Sequence, residues 1–172
     1  MKEISKILSD AIHEQYGAAI GMLEQDLKSC PKEVWDDKTS GLPFWHVAYH
    51  AMWFLDWYLS DSKKARESFK SKFGEEHSHF ESLDKTPEIT LTCDQLLDYL
   101  LDIKEKAKKR FGDLTSDGLI QPSVFEWHGN SVLSSLLYNL RHVMLHIGAL
   151  NLRLHRSGVK LENWVRNQRI KL

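Results

Sequence analysis

Two histidines near the C-terminal end of the chain have the spacing of a metal chelate. His142 and His146 are four residues apart within the apolar segment 139–155, and in a helix this spacing places both rings on one face. Neutral imidazole is a common ligand for zinc, nickel and copper, and two such rings bind one ion when a third ligand arrives from elsewhere. The alternative is a pair of packed core histidines, each satisfied by one hydrogen bond. The spacing thus predicts a metal site but not a reaction.

The helix that would carry this pair has a clear apolar face. Its apolar positions step by three or four residues, which predicts the side that faces the core. These positions are Leu133, Leu136, Leu140, Val143, Ile147, Leu150 and Leu154. His142 and His146 fall on the neighbouring strip, so we expect them to line a cavity at the edge of the core.

A second pair, His46 and His50, occurs in segment 44–59, which is apolar on almost every side. We expect these histidines to share a strip with Trp53 and Trp57 and to supply the third ligand. Because His46 falls in the first turn, near solvent, and His50 lies one turn deeper, the packed surroundings that ligands need favour His50. His46 is kept as a possible additional ligand or as a ring at the mouth of the pocket.

Three further residues are candidates for a catalytic role. Asp56 is the one carboxylate in segment 44–59, where it would orient a ligand's second nitrogen or carry a proton, unless it simply faces outward. Glu126 and its neighbour His128 precede the last helix, where loop side chains either reach a site or remain solvated. Arg153 follows His146 on the same strip by two turns, and would bind a substrate carboxylate or pair with a surface acid.

Hydrophobic periodicity predicts four long helices, over about 4–27, 43–59, 92–114 and 131–157. Pro43 is well tolerated in the first turn of the second helix, Thr92 with Gln95 forms a capping box for the third, and Asn130 or Ser131 caps the fourth. The turn-rich connector 31–43 is long enough to cross from one end of a bundle to the other. The pattern predicts an all-α fold, a four-helix bundle with a long connector after helix one, as a single domain over 1–172.

Two segments lie outside the four helices. Residues 60–87, which include His77 and His79, are predicted to form a helix tail and then an excursion loop that covers the pocket. Residues 159–172 are predicted to form a polar tail anchored by Trp164.

The composition bounds the partners and the compartment. Among 172 residues, 23 are basic and 24 acidic, and this balance gives no electrostatic footprint for nucleic acid or an anionic membrane. No run has the length of a membrane span or the pattern of a signal peptide. The two cysteines, Cys30 and Cys93, form no closely spaced pair, which fits a reducing compartment. We therefore expect a cytoplasmic protein that binds neither nucleic acid nor membrane.

The segments 42–50 and 140–151, with a histidine on helix two and a His-x-x-x-His pair followed by Gly148 on helix four, resemble the DinB-like superfamily of metal-dependent enzymes. The resemblance implies a bundle with a divalent ion, zinc or nickel, on His50, His142 and His146. His46 departs from that three-ligand pattern. Members of the superfamily include transferases and isomerases that use low-molecular-weight thiols and some hydrolases, and they often form homodimers.

Two functions follow as hypotheses. The first is a metal-dependent enzyme acting on a small molecule, either a hydrolase that uses metal-bound hydroxide or a transferase that uses a low-molecular-weight thiol. The second is a non-catalytic helical interaction or stress-response module with a structural metal or none. A closed structural site needs a fourth protein ligand, which His46, Glu126 or His128 would supply. The aromatic density of helix two also predicts a homodimer.

Overall fold

The computed structural model describes residues 2–39, 41–70, 72–73, 82–84, 89–160 and 164–170, with side chains described from residue 6 onward. Every regular element in these residues is helical, which confirms the all-α prediction. The elements are α1 (Lys2–Ser29), α2 (Lys32–Trp35), α3 (Phe44–Tyr58), α4 (Lys63–Glu67), α5 (Cys93–Gly112), α6 (Ser116–Leu119), a 3₁₀ turn (Glu126–His128) and α7 (Val132–Arg156). Within the described ranges, none of the helices combines the length and the apolar character that crossing a membrane requires.

The predicted helix ends are confirmed at three caps. Pro43 is the N-cap of α3. At the start of α5, the Thr92 hydroxyl accepts a hydrogen bond from the Gln95 backbone, and the Gln95 side chain accepts one from the Thr92 backbone. Ser131 caps α7 by accepting a hydrogen bond from the Ser134 N–H at 3.2 Å. Local sequence therefore sets where the long helices begin.

The long helices α1, α3, α5 and α7 enclose one apolar core. Helix α7 packs against α3 and α1, and α5 packs against the same two helices. The buried apolar side chains form one contiguous cluster that draws on all four. Inside it, the Tyr16 hydroxyl of α1 donates to the Leu136 carbonyl of α7 at 2.7 Å, so its one polar atom is satisfied. The packing brings the two histidine-bearing helices, α3 and α7, side by side.

The segments between the long helices differ from expectation. The connector after α1 contains the short helix α2, whose Val34 and Trp35 are buried, and the Trp35 indole donates to the Leu91 carbonyl at 2.8 Å. Burial of these two side chains gives the connector a fixed path over the core. After α3 the chain turns into α4. The expected excursion loop with His77 and His79 lies outside the described residues.

The C-terminal tail is held by residues other than the predicted anchor. Trp164 is 67% exposed, so that prediction is wrong, whereas Ile170 is buried. The Gln168 side chain donates to the Gly17 carbonyl at 3.2 Å. A Cβ at Gly17 would stand 1.9 Å from the Gln168 carbonyl oxygen. Because Gly17 has no side chain, the tail can approach α1 closely at this position.

Candidate metal centre

Three imidazole rings from α3 and α7 converge on one point. The Nε2 atom of His142 lies 3.3 Å from Nε2 of His50 and 3.1 Å from Nε2 of His146. Each ring offers one nitrogen, and these nitrogens all lie within 4.8 Å of one another. Among the described residues, this is the one group of three or more histidine, cysteine or acidic side chains with that proximity. The structure thus brings together the three histidines that the sequence singled out.

The separations between the nitrogens match those of ligands that share an ion. Two nitrogens at 2.0–2.1 Å from zinc, with a tetrahedral angle between them, lie about 3.3 Å apart. The observed 3.1 and 3.3 Å agree with that value. The donor set therefore fits a divalent ion such as zinc or nickel, and three ligands leave a position open for water or substrate.

The electrostatics of the group favour neutral rings. Burial, followed by the neighbouring His50 and His142 rings, lowers the pKa of His146 from 6.5 to about 4. Burial also lowers the pKa of His142, with a further contribution from His128. A neutral imidazole keeps a lone pair on one of its two ring nitrogens, and a metal ligand must be in that state. At neutral pH, His142 and His146 are ready to bind a cation.

Each of the two helices carries a strip of rings spaced by four residues. The strips are His50, Phe54 and Tyr58 on α3, and Tyr138, His142 and His146 on α7. The Phe54 ring centroid lies 4.8 Å from that of His50 and 5.0 Å from that of His142, and thus packs beside both ligands. Trp53 and Trp57 lie beside this strip and contact Phe69 and Phe125. Aromatic packing therefore fixes the orientation of the rings from one side.

His46 is deeper than the sequence predicted. It is 0% exposed, whereas His50 is 9% exposed, so the expectation that His46 lies near solvent is wrong. The whole first turn of α3 is buried rather than near solvent, since Phe44 is 0% and Trp45 1% exposed, and Trp35 of α2 packs on Phe44 with ring centroids 5.9 Å apart. His46 does not belong to the group of converging nitrogens. Depth therefore does not distinguish the two histidines, whereas position on the helix does.

The structure does not bring Asp56 to the histidines. Its Oδ2 accepts a hydrogen bond from the Tyr99 hydroxyl at 2.8 Å, and its Oδ1 accepts one from Lys106 Nζ at 2.6 Å. Both partners belong to α5, whereas His50 of the same helix faces α7. Asp56 is six residues from His50, a spacing that points the two side chains to different faces of the helix. The carboxylate therefore links α3 to α5 and does not orient a ligand.

Arg153 and Glu126 also lie away from the converging nitrogens. The Arg153 guanidinium donates to the backbone carbonyls of Leu42 and Asp37, the latter at 2.9 Å. Arg153 thus joins the connector to the end of α7. Its partners are these backbone carbonyls, rather than the substrate carboxylate or surface acid that the sequence suggested. Glu126 is exposed in the 3₁₀ turn. Neither residue is placed to act on a ligand of the three histidines.

A second ring cluster, formed by Tyr58, His128 and Tyr138, adjoins the centre. Of these three residues, only His128 was a candidate from the sequence. The Tyr58 hydroxyl is hydrogen-bonded to Nε2 of His128, and the His128 ring stacks on Tyr138 with centroids 3.5 Å apart. Burial raises the pKa of Tyr58 to about 12 and lowers that of His128, so the tyrosine donates and the neutral imidazole accepts. The four-residue spacing of Tyr58 from Phe54, and of Tyr138 from His142, was the signal for this cluster.

Comparison with protein-family models, with curated proteins and with solved structures finds no match to this chain.

Proposed function

We propose that this protein is a divalent-metal-dependent enzyme that acts on a small molecule, as a hydrolase or as a transferase of a low-molecular-weight thiol. The observation that carries the proposal is the convergence of the Nε2 atoms of His50, His142 and His146 at 3.1–3.3 Å from neighbour to neighbour. A zinc or nickel ion held by three imidazoles acts as a Lewis acid and lowers the pKa of a bound water or thiol toward neutrality.

The protein's own groups would do the rest of the work. His50, His142 and His146 hold the ion, and Phe54 packs beside His50 and His142 and shields that side from water. The Tyr58–His128 pair would hold a proton next to the centre, with the tyrosine O–H as donor and His128 Nε2 as acceptor. The His128 imidazole is neutral because burial lowers its pKa, so the pair would position a hydrogen bond beside the ion rather than act as a strong base.

We further propose a DinB-like four-helix bundle, a cytoplasmic location and a homodimer. The packing of α5 and of α7 against both α1 and α3 supports the bundle. Most of the apolar side chains of α3 are buried within its own chain, so the dimer surface would come from the exposed leucines of α7. These are Leu137, Leu145 and Leu152. Sedimentation equilibrium tests the dimer, since a single species of 20.0 kDa contradicts it.

The test of function begins with thiol binding. Zinc-loaded protein, purified without a histidine tag, is melted with and without glutathione, bacillithiol or mycothiol, and with S-methylglutathione as a control that lacks a free thiol. A thiol transferase raises its melting temperature with one of the free thiols but not with the methylated compound. The His142→Ala variant should show no such rise.

If no thiol stabilises the loaded protein, the hydrolase branch is tested with a panel of ester and amide substrates. Hydrolysis by the loaded wild type that is lost in His142→Ala supports it. A protein that binds no divalent ion in the presence of excess zinc contradicts both branches and leaves the non-catalytic module.

A further inference from the structure

The two cysteines, far apart in the chain, lie at the same end of the helical core and line one cavity. Cys30 directly follows α1, and Cys93 is the first residue of α5. The Cys93 thiol donates to the Leu27 carbonyl, with Sγ 3.4 Å from the oxygen. Leu27 belongs to the last turn of α1 and precedes Cys30 by three residues, so the Cys93 sulfur lies against that turn. Both cysteines are free and half-buried.

Cys30 and Cys93 line the same cavity. Its volume is about 410 Å³, within the size range of small-ligand sites. Helix α2 forms one wall and segment 90–94 the other, and two hydrogen bonds tie these walls together. The Trp35 indole donates to the Leu91 carbonyl at 2.8 Å, and the Thr90 hydroxyl donates to Asp36 Oδ1 at 3.1 Å. The cavity is therefore built into the fold.

The thiols are neutral and weakly nucleophilic at physiological pH. Burial raises the pKa of Cys30 to about 12 and also raises the pKa of Cys93. Such thiols react slowly with electrophiles, because the thiolate is the reactive form. A soft metal ion still binds them, since each metal–sulfur bond formed displaces a proton. The pair is thus better suited to bind an ion than to attack a substrate.

The number of ligands limits which ion fits. Zinc needs three or four protein ligands, and in the described part of the chain only the histidine group reaches three. The cavity offers two sulfurs, and soft thiolate ligands select Cu(I), an ion that accepts two of them. Lys32 lines the cavity, and Arg153 lowers the pKa of Cys30, so these cations offset the negative charge of the two thiolates. The Asp94 carboxylate acts in the opposite direction and raises the pKa of Cys93.

We propose that Cys30 and Cys93 form a binding site for one soft monovalent cation, Cu(I), separate from the histidine centre. On binding, two S–H bonds break, two S–Cu bonds form, and two protons pass to solvent. The oxidation states of copper and sulfur do not change. This site is independent of the proposed function, because it shares no ligand with the three histidines.

The test is an anaerobic titration of the His142→Ala protein with Cu(I) against a chromophoric Cu(I) chelator. This background removes the central imidazole of the other site. We expect one ion per chain and complete protection of both thiols from a colorimetric thiol reagent. Cys30→Ser and Cys93→Ser should each lower the affinity by about a hundredfold. Thr90→Ala, which alters the cavity wall but keeps both sulfurs, should change the affinity by only a few-fold.

Unchanged affinity in either cysteine variant overturns the proposal. Because a cysteine variant can also fail to fold, the second measurement uses wild-type protein, with alkylation of each cysteine followed by mass spectrometry. One equivalent of Ag(I), a stable stand-in for Cu(I), should slow the alkylation of both residues to the same extent. Protection of only one cysteine, or of neither, contradicts a shared ion.

Discussion

Two faces of α3 hold polar side chains in opposite ways. Toward α5, the Asp56 carboxylate is satisfied by Tyr99 and by Lys106 at 2.6–2.8 Å. Toward α7, Nε2 of His142 lies 3.1–3.3 Å from Nε2 of His50 and of His146, and no acid contributes to the lowered pKa of His142 or His146. The first cluster is complete as it stands, with opposite charges paired. The second has three imidazole nitrogens converging on one point, an arrangement that a cation would complete on the proposed function.

The comparison shows how a structural polar cluster differs from a binding site. Mutual satisfaction of charge and hydrogen bonds explains why the Asp56 cluster exists, because buried polar groups need partners. The histidines differ, because their Nε2 atoms approach one another rather than a group of opposite charge. On the proposed function, an ion held between these nitrogens is the reason for their convergence.

The largest expected effect comes from removing the central histidine. His142→Ala should lower the affinity for zinc by more than about a hundredfold, because loss of a ligand exceeds loss of an outer partner. Isothermal titration of tag-free protein measures it. His155→Ala is the matched control, since His155 is an exposed histidine on the same helix and should leave the affinity unchanged. Equal binding by wild type and His142→Ala would show that the rings merely pack.

The next test separates the two histidines of α3. His46→Ala should destabilise the fold by about 2–4 kcal/mol, because a fully buried ring leaves a cavity, while zinc binding persists in the folded fraction. His50→Ala should do the reverse, with zinc binding lost and a smaller change in stability. Urea unfolding of the metal-free proteins and zinc titration measure the two quantities. Loss of zinc binding in His46→Ala, with the fold intact, would place His46 among the ligands.

The completed cluster on the other face should respond in stability alone. Asp56→Ala removes an acceptor from Tyr99 and Lys106 and should lower the free energy of unfolding by about 1–3 kcal/mol. The affinity for zinc should stay within a few-fold of wild type. A loss of affinity comparable to that of His142→Ala would mean that this carboxylate acts on the ligands after all.

A pH dependence of stability is expected at a third polar contact, between α1 and α7. Burial raises the pKa of Asp26 from 3.8 to about 7, and Asn151 Nδ2 donates to its Oδ2 at 3.0 Å. Because the folded state holds the proton more tightly, this contribution to stability is present below pH 4 and is lost as the pH rises to 7.

The loss amounts to about 4 kcal/mol at most, and Asp26→Asn should abolish it. Unfolding at pH 5 and pH 8 measures the difference, and the variant should be the more stable protein at pH 8. A wild-type stability that does not fall between these pH values would contradict the raised pKa.

The sequence was sufficient where the argument depended on one helix at a time. Helix periodicity placed His142 and His146 beside the core face, and the Thr92–Gln95 pair located the start of α5. The sequence was insufficient where the burial or the partners of a side chain depend on a segment far away in the chain. The burial of the first turn of α3, His46 included, follows from tertiary packing, and the role of Asp56 depends on Lys106, fifty positions further along the chain.

The same limit applies to the ring cluster beside the histidines. His128 belongs to a 3₁₀ turn whose position relative to α3 and α7 is set by tertiary packing, so its contact with Tyr58 has no local signature. Arg153 was placed on the correct strip, but its partners are backbone carbonyls, which residue types do not reveal.

The most direct test of a shared ion is X-ray absorption spectroscopy at the zinc edge on tag-free protein loaded with one equivalent of zinc. We expect three imidazole nitrogens at about 2.0–2.1 Å and one oxygen ligand from water, with sulfur absent from the coordination shell. A shell with fewer than two imidazoles, or one built from sulfur, would contradict the assignment of His50, His142 and His146 as a metal centre.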